Sequence, residues 1–310
     1  MNSELDGGTS RVADRRDGLV YVLPDRVELA VRVALATGRP LLLRGEPGSG
    51  KSSLAAYVAR QRGWRYYELV VTSKTQPRDL LWSFDTVRRL ADAQAETLLG
   101  DADYVEPGML WWAYDPDSAR RRGMPEGLTP TRPPVEPMAE VNRDRHAKRS
   151  VLLIDEIDKA DPDVPNGLLV PLGSNEFTVA ETGFTVRKTG SQLVVITTNE
   201  ERELPQAFLR RCVVVALTAP DEDGLVEIAR QHTIVERKWT KRDAELAAAV
   251  AHQLGVARTE ARQRALRPPS TAEFLDAFRA CGELGIGVAD EAWSDLRDFV
   301  LLKRGEDVSA

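Results

Sequence analysis

Short apolar runs separated by polar stretches dominate the chain up to Leu217. Unbroken runs rich in Val, Ile and Leu are typical of strands that are buried on both faces of a parallel sheet. A helical spacing of apolar residues instead predicts a helix from Pro24 to Thr37, which leads into the first run. The pattern therefore predicts an α/β fold with a parallel sheet. The five predicted strands are Pro40–Leu43, Tyr66–Val71, Val151–Ile154, Gln192–Thr198 and Val213–Leu217.

Beyond Thr218 the apolar positions follow a helical period throughout. They predict four helices, at about 221–236, 242–254, 271–283 and 288–303. The third of these begins with the capping-box sequence Ser270-Thr271-Ala272-Glu273. We therefore expect a small all-α domain over residues 219–310, after an α/β core over residues 18–218. The polar residues 1–17 predict a flexible tail.

The stretch from residue 86 to residue 114 has a weaker pattern. Apolar positions between Val87 and Leu99 predict a helix that ends at Gly100, with a hairpin as the alternative. The run Met109–Tyr114 contains two tryptophans, which could pack beneath the sheet or grip a polypeptide in a central pore. Packing beneath the sheet is the commoner role of such residues.

Residues 115–148 differ from their surroundings in composition. They contain six prolines and the triplet Arg120-Arg121-Arg122, and they have few apolar residues. Such a stretch predicts an exposed, mobile insertion in the core. Two roles remain open for it: a solvated linker, or a docking surface for an acidic partner.

Composition and charge exclude several classes of protein. A chain of 310 residues with 42% hydrophobic and 29% charged residues can bury the core of one large domain and a smaller one. The net charge of −6 argues against general binding to nucleic acid or to an anionic membrane. Cys212 and Cys281 are too far apart in sequence to indicate a disulfide framework or a zinc site. No run reaches membrane-spanning length and no signal-peptide core is present, so we expect a cytoplasmic protein.

The chemistry begins directly after the first predicted strand. Residues 45–52 match the phosphate-binding pattern G-x-x-x-x-G-K-[ST], followed by a predicted helix. Glycines let backbone N–H groups approach phosphate, and the helix N-terminus favours the same negative charge. Lys51 is predicted to bind the β- and γ-phosphates, and Ser52 to bind Mg²⁺. The predicted nucleotide-binding residues are Gly45, Glu46, Pro47, Gly48, Ser49, Gly50, Lys51, Ser52 and Ser53. Residues 18–22 could lie against an adenine ring, or could simply pack before the first helix.

Polar residues follow two further strands. Asp155 and Glu156 end the strand at Val151–Ile154, which is a Walker B pattern. Asp155 is predicted to hold Mg²⁺, mostly through water, and Glu156 to polarise the attacking water. Asn199 ends the next strand and could position that water, contact the γ-phosphate or only cap a turn.

In this order and spacing, these features resemble an AAA+ ATPase. The stretches Asp155–Ala160 and Thr198–Cys212 are most similar to the MoxR-type branch. The resemblance implies a five-stranded parallel sheet between helices, a C-terminal helical lid, and assembly into a ring that is usually a hexamer. It also implies that Asn199 is a polar sensor and that Arg211, or second Arg210, is an arginine finger. Arg267 precedes the third lid helix, offset from the place where the family has its lid arginine.

The resemblance implies an ATPase that uses hydrolysis to remodel a protein client or partner complex. A von Willebrand A-type protein is a partner that such ATPases often have. Two other classes remain open: a motor that acts on nucleic acid, and a nucleotide-operated scaffold with slow turnover. Acidic charge argues against the motor, for which the triplet Arg120-Arg121-Arg122 is the only local support. The residues leave the choice between ATP and GTP open.

Overall fold

The computed structural model describes residues 17–264 and 266–302. The described chain contains nine strands, at β1 Leu41–Arg44, β2 Trp64–Val70, β3 Trp82–Phe84, β4 Val105–Pro107, β5 His146–Asp155, β6 Glu176–Thr178, β7 Thr185–Arg187, β8 Ser191–Thr198 and β9 Val213–Ala216. Its helices are α1 Asp25–Thr37, α2 Lys51–Gln61, α3 Thr86–Gln94, α4 Met109–Tyr114, α5 Pro116–Arg120, α6 Ala139–Asn142, α7 Asp163–Ser174, α8 Gln206–Leu209, α9 Glu222–Ile234, α10 Lys241–Gln263, α11 Thr271–Leu284 and α12 Ala292–Arg297. Short 3-10 turns lie at Pro77–Leu80, Asp101–Tyr104 and Ile157–Lys159, and a π turn at Asp298–Leu302. Except for Asp17, the predicted tail lies outside the described residues.

Five strands form one parallel sheet in the order β2-β5-β8-β1-β9. The strands predicted from apolar runs are these five, so the predicted α/β fold is confirmed. Successive residues of β1 and β5 are fully buried, which explains why both strands lack alternation between polar and apolar positions. Helix α1 packs against β8 and β9, and α4 packs against β2 and β5. Because β1, β5 and β8 are parallel neighbours, their carboxyl ends lie at the same edge of the sheet.

The stretch from residue 86 to residue 114 combines both predicted alternatives. Residues 86–94 form α3, which ends before the predicted end at Gly100, while β3 and β4 on either side of it pair as an antiparallel ribbon. Trp111 and Trp112 in α4 are 0% and 1% exposed, and they belong to the core beneath the sheet. The pore-gripping alternative for this aromatic pair is therefore wrong. A second ribbon, β6 with β7, follows α7 and was not predicted.

The prediction of an exposed insertion at 115–148 is confirmed for stretches such as 125–129 and 131–133 and is wrong for the parts that contact the core. Pro116, Ser118 and Ala119 in α5 are buried. Arg122 is only 2% exposed: its guanidinium donates to the carbonyls of Val105 and Arg132, and it lies 2.9 Å from Glu106. Low apolar content was a poor guide because buried polar contacts help to attach this segment to the core, in addition to Ala119, which belongs to the hydrophobic core cluster.

Two further side chains attach the same segment to the sheet. Glu136 accepts from Arg65 at 2.6 Å, from Tyr67 at 3.1 Å and from Arg120 at 2.7 Å. Asn142, which is 2% exposed, pairs with both backbone groups of Tyr66 in the edge strand β2. The insertion thus covers the otherwise unpaired side of β2 at this residue.

The residues after Thr218 form helices α9 to α12 near the four predicted positions, but α12 begins at Ala292 instead of 288 and is followed by the π turn. The second helix is longer than predicted, because α10 continues to Gln263 instead of ending near 254. The capping box at Ser270 is present as predicted, since the Glu273 carboxylate accepts from the Ser270 backbone. The last predicted helix was expected to end at residue 303, and the residues beyond Leu302 lie outside the described part of the chain. These helices share their own hydrophobic cluster, which includes Phe274, Phe278 and Trp293.

The chain divides into two compact units. One unit comprises Leu23–Glu46 and Leu54–Leu217, and the other comprises Met1–Val22, Pro47–Ser53 and Thr218–Ala310. In this division, residues 18–22 and 47–53 and Thr218 of the predicted core are grouped with the C-terminal helices. Among the described residues, none of the helices has both the length and the apolar character that crossing a membrane requires.

Candidate active site

The phosphate-binding pattern forms a tight loop between β1 and α2. Gly45, Gly48 and Gly50 have φ values of 143°, 78° and 85°, which side chains with a Cβ rarely adopt. Lys51 is the first residue of α2 and is only 6% exposed. The hydroxyl of Ser49 is buried with no hydrogen-bond partner among the described residues. A glycine-lined turn at a helix N-terminus, with an unsatisfied buried hydroxyl, suits a phosphate ligand.

Two residues of the helical unit lie against this loop. A Cβ added at Gly48 would lie 2.1 Å from the Cβ of Ser270, so any larger residue there would collide with the start of α11. A Cβ added at Gly50 would lie 3.3 Å from the ring of Tyr21. Burial raises the pKa of the Tyr21 hydroxyl above its ordinary value. Contact with Gly50 places Tyr21 next to the loop, and the prediction that residues 18–22 lie against adenine stays a prediction.

Asp155 and Glu156 lie where β5 ends, beside the end of β8. Asp155 is 3% exposed, and its Oδ1 accepts a hydrogen bond from the Thr197 hydroxyl at 2.6 Å. The same hydroxyl accepts from the backbone N–H of Glu156 at 2.8 Å. Glu156 adopts the left-handed conformation, with φ 61° and ψ 49°, which turns the chain sharply after the strand. Thr197 therefore fixes both acidic residues relative to β8.

The side chain of Glu156 contacts two donors. Asn199 Nδ2 donates to Glu156 Oε1 at 3.3 Å, and Lys159 Nζ donates to Glu156 Oε2 at 2.6 Å. The hydrogen bond with Glu156 raises the pKa of the Lys159 ammonium above its ordinary value. The exposed fractions of the Glu156 and Lys159 side chains are 28% and 43%, so this carboxylate is held in place and still meets solvent.

Asp158 connects the turn after β5 to the turn after β8. Its Oδ2 accepts from the backbone N–H of Asn199 at 3.1 Å and from that of Glu201 at 3.0 Å. Asp158 is 3% exposed, and its Oδ1 is buried with no hydrogen-bond partner among the described residues. A buried carboxylate that receives two N–H groups holds a turn firmly. Asp158 thereby keeps Asn199 close to Glu156.

The paired arginines lie near the amino ends of the strands, opposite to the edge where β1, β5 and β8 end. Arg210 and Arg211 follow α8 and precede β9, whose first residue is aligned with the start of β1. Both arginines are exposed. Arg211 and Arg39 line a cavity of 260 Å³, together with apolar residues that include Phe208 and Leu172. Since the phosphate loop starts at the far end of β1, Arg211 is on the side of the sheet away from its own loop.

Arg267 lies just before α11. Its guanidinium is 3.6 Å from the Glu273 carboxylate, and its side chain is 61% exposed. Glu273 is the carboxylate of the capping box, so this contact ties Arg267 to the first turn of α11. The offset lid arginine therefore has a structural contact, and its role as a nucleotide sensor stays a prediction.

Three residues of this site were not singled out from the sequence as contributors. Thr197 sits inside an apolar run, and its role depends on pairing between β5 and β8. Asp158 and Lys159 occupy the 3-10 turn after Glu156, where an acidic and a basic residue usually indicate a solvated turn. Their spacing of two and three residues from Glu156 was the available signal, because a tight turn returns such side chains toward the strand end.

Comparison with known proteins gives a family. Residues 40–212 match the model of the AAA domain, dynein-related subfamily. A protein from Cytophaga hutchinsonii, whose crystal structure is described as that of a candidate ATPase, is 15% identical over 93% of this chain and 84% of that one, with a TM-score of 0.44. No curated protein matches the chain. The family match spans the phosphate loop, both acidic residues, Asn199 and the paired arginines.

Proposed function

This chain belongs to the dynein-related subfamily of AAA domains, and on that basis we propose that it is a ring-forming ATPase that remodels a protein client or partner complex. The observation that carries the proposal is the arrangement of Glu156. A carboxylate at the end of a buried strand, held by Asn199 and open to solvent, suits the polarisation of a water molecule. Hydrolysis of a nucleotide is the reaction that needs such a group in a chain that also has a phosphate loop.

The residues present fit a nucleotide with Mg²⁺. The glycine turn offers backbone N–H groups and Lys51 offers a cation for the β- and γ-phosphates. Ser52 and Asp155 supply a hydroxyl and a carboxylate, which are the hard oxygen ligands that Mg²⁺ prefers. Bound Mg²⁺ would neutralise phosphate charge and orient the phosphates. The proposed base Glu156 takes a separate place, in contact with Asn199 and Lys159.

Assembly into a ring is proposed from the position of Arg211. An exposed arginine at the edge of the sheet opposite to its own phosphate loop is badly placed to act on that loop. In a closed ring it would act on the nucleotide that a neighbouring subunit holds, where arginine fingers contribute about 10³–10⁵ in rate. The resemblance to MoxR-type proteins favours a hexamer.

Mixing two inactive variants tests this proposal. Arg211→Ala should bind ATP and hydrolyse it very slowly, and Lys51→Ala should fail to bind ATP. In a mixed ring, some sites join the intact loop of the first variant to the intact arginine of the second, so part of the activity should return. Arg210→Ala tests the second candidate for the finger, and it should keep most of the rate if Arg211 is the finger. Co-assembly without recovered activity, or full activity of wild-type monomers, would contradict action between subunits.

A protein client is favoured over nucleic acid because the basic triplet at 120–122, which was the support for nucleic acid in the sequence, is largely engaged in other contacts. Arg122 is buried, and Arg120 pairs with Asp117 and Glu136, so the basic triplet offers no free patch. A von Willebrand A-type partner is proposed from the resemblance alone. Co-purification of such a protein with Glu156→Gln in the presence of ATP would identify it.

A nucleotide-operated scaffold is the second candidate. The Lys159 ammonium lies 2.6 Å from Glu156 Oε2, so one oxygen of the proposed base is already engaged in an ion pair. Slow hydrolysis at such a site would suit a switch whose assembly depends on bound ATP. ATP-dependent oligomerisation with a turnover far below about 1 s⁻¹ would favour the scaffold, whereas faster turnover that rises with a client would favour remodelling.

A further inference from the structure

The amino ends of β2 and β5 form a strongly basic surface on an acidic protein. Residues 60–65 and 143–149 together contain seven Lys or Arg residues and one Asp, a formal charge of +6 against −6 for the whole chain. Arg65 pairs with Glu136, and Arg143 pairs with Glu140. Among the described residues, no carboxylate lies within 4 Å of the remaining five. We call these five the basic edge patch: Arg60, Arg62, Arg145, Lys148 and Arg149.

The cations of the patch are close to one another. Arg62 lies over the ring of Trp64, 5.5 Å from its centre, and Arg145 donates to the carbonyl of the same Trp64 at 3.0 Å. Burial, and after it the nearby charge of Arg60, lower the pKa of the Arg145 guanidinium. Like charges that crowd in this way are unfavourable in the isolated protein, and an anion would relieve their repulsion.

Lys148 and Arg149 of the patch lie in a β-bulge of β5. Trp64 of β2 is opposite His146 of β5, but the next residue, Arg65, is opposite Ser150. Residues 147–149 therefore stand opposite no residue of β2 and are exposed. Bulges of this kind re-aim side chains and are often found at functional places. The local backbone is adapted to the bulge, since a Cβ at Gly190 would lie 1.8 Å from the Lys148 carbonyl oxygen.

We propose that the basic edge patch binds an acidic segment of a protein client or partner. The proposal deepens the proposed function by naming the chemistry of that client, and it rests on it. A short acidic segment could meet the patch alone, whereas a long nucleic acid would also run over the acidic remainder of the surface. Trp64 is the only Phe, Tyr or Trp in the two segments, and it is 7% exposed, so stacking of bases on an aromatic ring is not offered.

Peptide binding tests the patch directly. A fluorescein-labelled decaglutamate should bind the wild-type protein at about 0.05 M salt, and more weakly at about 0.15 M, because salt screens exposed charges. The triple variant Arg62→Glu, Lys148→Glu, Arg149→Glu should bind at least about tenfold more weakly, since charge steers and stabilises such contacts. These residues are exposed, and none belongs to the candidate active site.

A matched control separates the patch from overall charge. Arg26, Arg32 and Arg132 are exposed and lie elsewhere, so replacing all three by Glu changes the net charge equally. This control should bind decaglutamate within about twofold of wild type once the salt is high enough to screen distant charges. If the charge reversal prevents folding, the corresponding three glutamine substitutions should still weaken binding clearly.

Three outcomes would overturn the proposal. Wild-type protein could fail to bind the peptide, or both triple variants could lose binding equally. A labelled 20-base single strand or duplex could also bind more tightly than the peptide at about 0.15 M salt and be lost in the patch variant, which would assign the patch to nucleic acid. Lys51→Ala should keep peptide binding, so a failure of the ATPase proposal remains distinguishable from a failure of the patch.

Discussion

Two polar networks hold different parts of the α/β unit, and they differ in exposure. At the ends of β5 and β8, buried Asp155 and Thr197 support the solvent-accessible side chain of Glu156. In the insertion, Arg122 and Asn142 are both 2% exposed and contact mainly backbone groups. The first network presents a reactive group, and the second attaches the insertion to the sheet and to β4. We therefore expect changes in the first to alter turnover and changes in the second to alter stability.

Glu156→Gln should give the largest effect and should sharpen the contrast. Glutamine keeps the size and the contact with Asn199, but it cannot take up a proton, so turnover should fall about 10²–10⁴-fold with ATP binding retained. Steady-state hydrolysis measures the turnover, and equilibrium nucleotide binding measures the affinity for ATP. Glu203→Gln, an exposed change nearby, is the control. A melting temperature lowered along with the rate would show that Glu156 is also structural.

Arg122→Ala should destabilise the α/β unit by about 3 kcal/mol and leave turnover per folded subunit unchanged. Alanine would leave the Val105 and Arg132 carbonyls without their donor and would remove the Glu106 ion pair. Urea unfolding measures the loss. The adjacent Arg121→Ala removes only one long hydrogen bond, to the Met124 carbonyl at 3.4 Å, and should cost little. Equal losses for the two variants would count against the buried network.

Thr197→Val should break the contrast, because this residue serves both purposes. Valine has the same shape, but it removes the hydrogen bonds that the Thr197 hydroxyl makes with Asp155 Oδ1 and with the Glu156 N–H. We expect about 2 kcal/mol of lost stability together with about a tenfold loss in turnover. Thr178→Val, in the exposed pair with Thr185, is the matched control for the substitution. A loss of turnover alone would mean that water replaces the hydroxyl.

Asn142→Ala should have the smallest effect, about 1–2 kcal/mol, since two hydrogen bonds to Tyr66 are lost and water can replace part of them. Asn142→Asp keeps the acceptor for the Tyr66 N–H and loses the donor to the Tyr66 carbonyl. Its loss of stability should therefore differ from the loss that Asn142→Ala causes. Thermal unfolding at several protein concentrations measures both variants. Aggregation that rises with concentration only in these variants would show that the uncovered β2 pairs with other chains.

The site residues that end apolar runs could be predicted from the sequence. Asp155, Glu156 and Asn199 were identified because a buried parallel strand directs its last residues to a ligand edge. Asn142 and Arg122 could not be identified in this way, because a buried polar residue has the same sequence appearance as a solvated one. Their burial depends on partners 76 and 17 positions away, Tyr66 and Val105, which no local pattern encodes. The length of α10 was underestimated because it continues past 254 through mostly polar positions to Gln263.

The cover that Asn142 provides over β2 has a consequence for synthesis of the chain. Tyr66 leaves the ribosome 76 residues before Asn142, and β5, the other neighbour of β2, follows later still. At about 5–20 residues per second, β2 therefore stays unpaired on both sides for roughly 4–15 s. During that interval a nascent strand with Trp64, Tyr66 and Tyr67 is open to pairing with other nascent chains on the same messenger. The yield of folded protein should therefore depend on how densely ribosomes load the messenger. Expression at lower temperature slows synthesis and lengthens this interval.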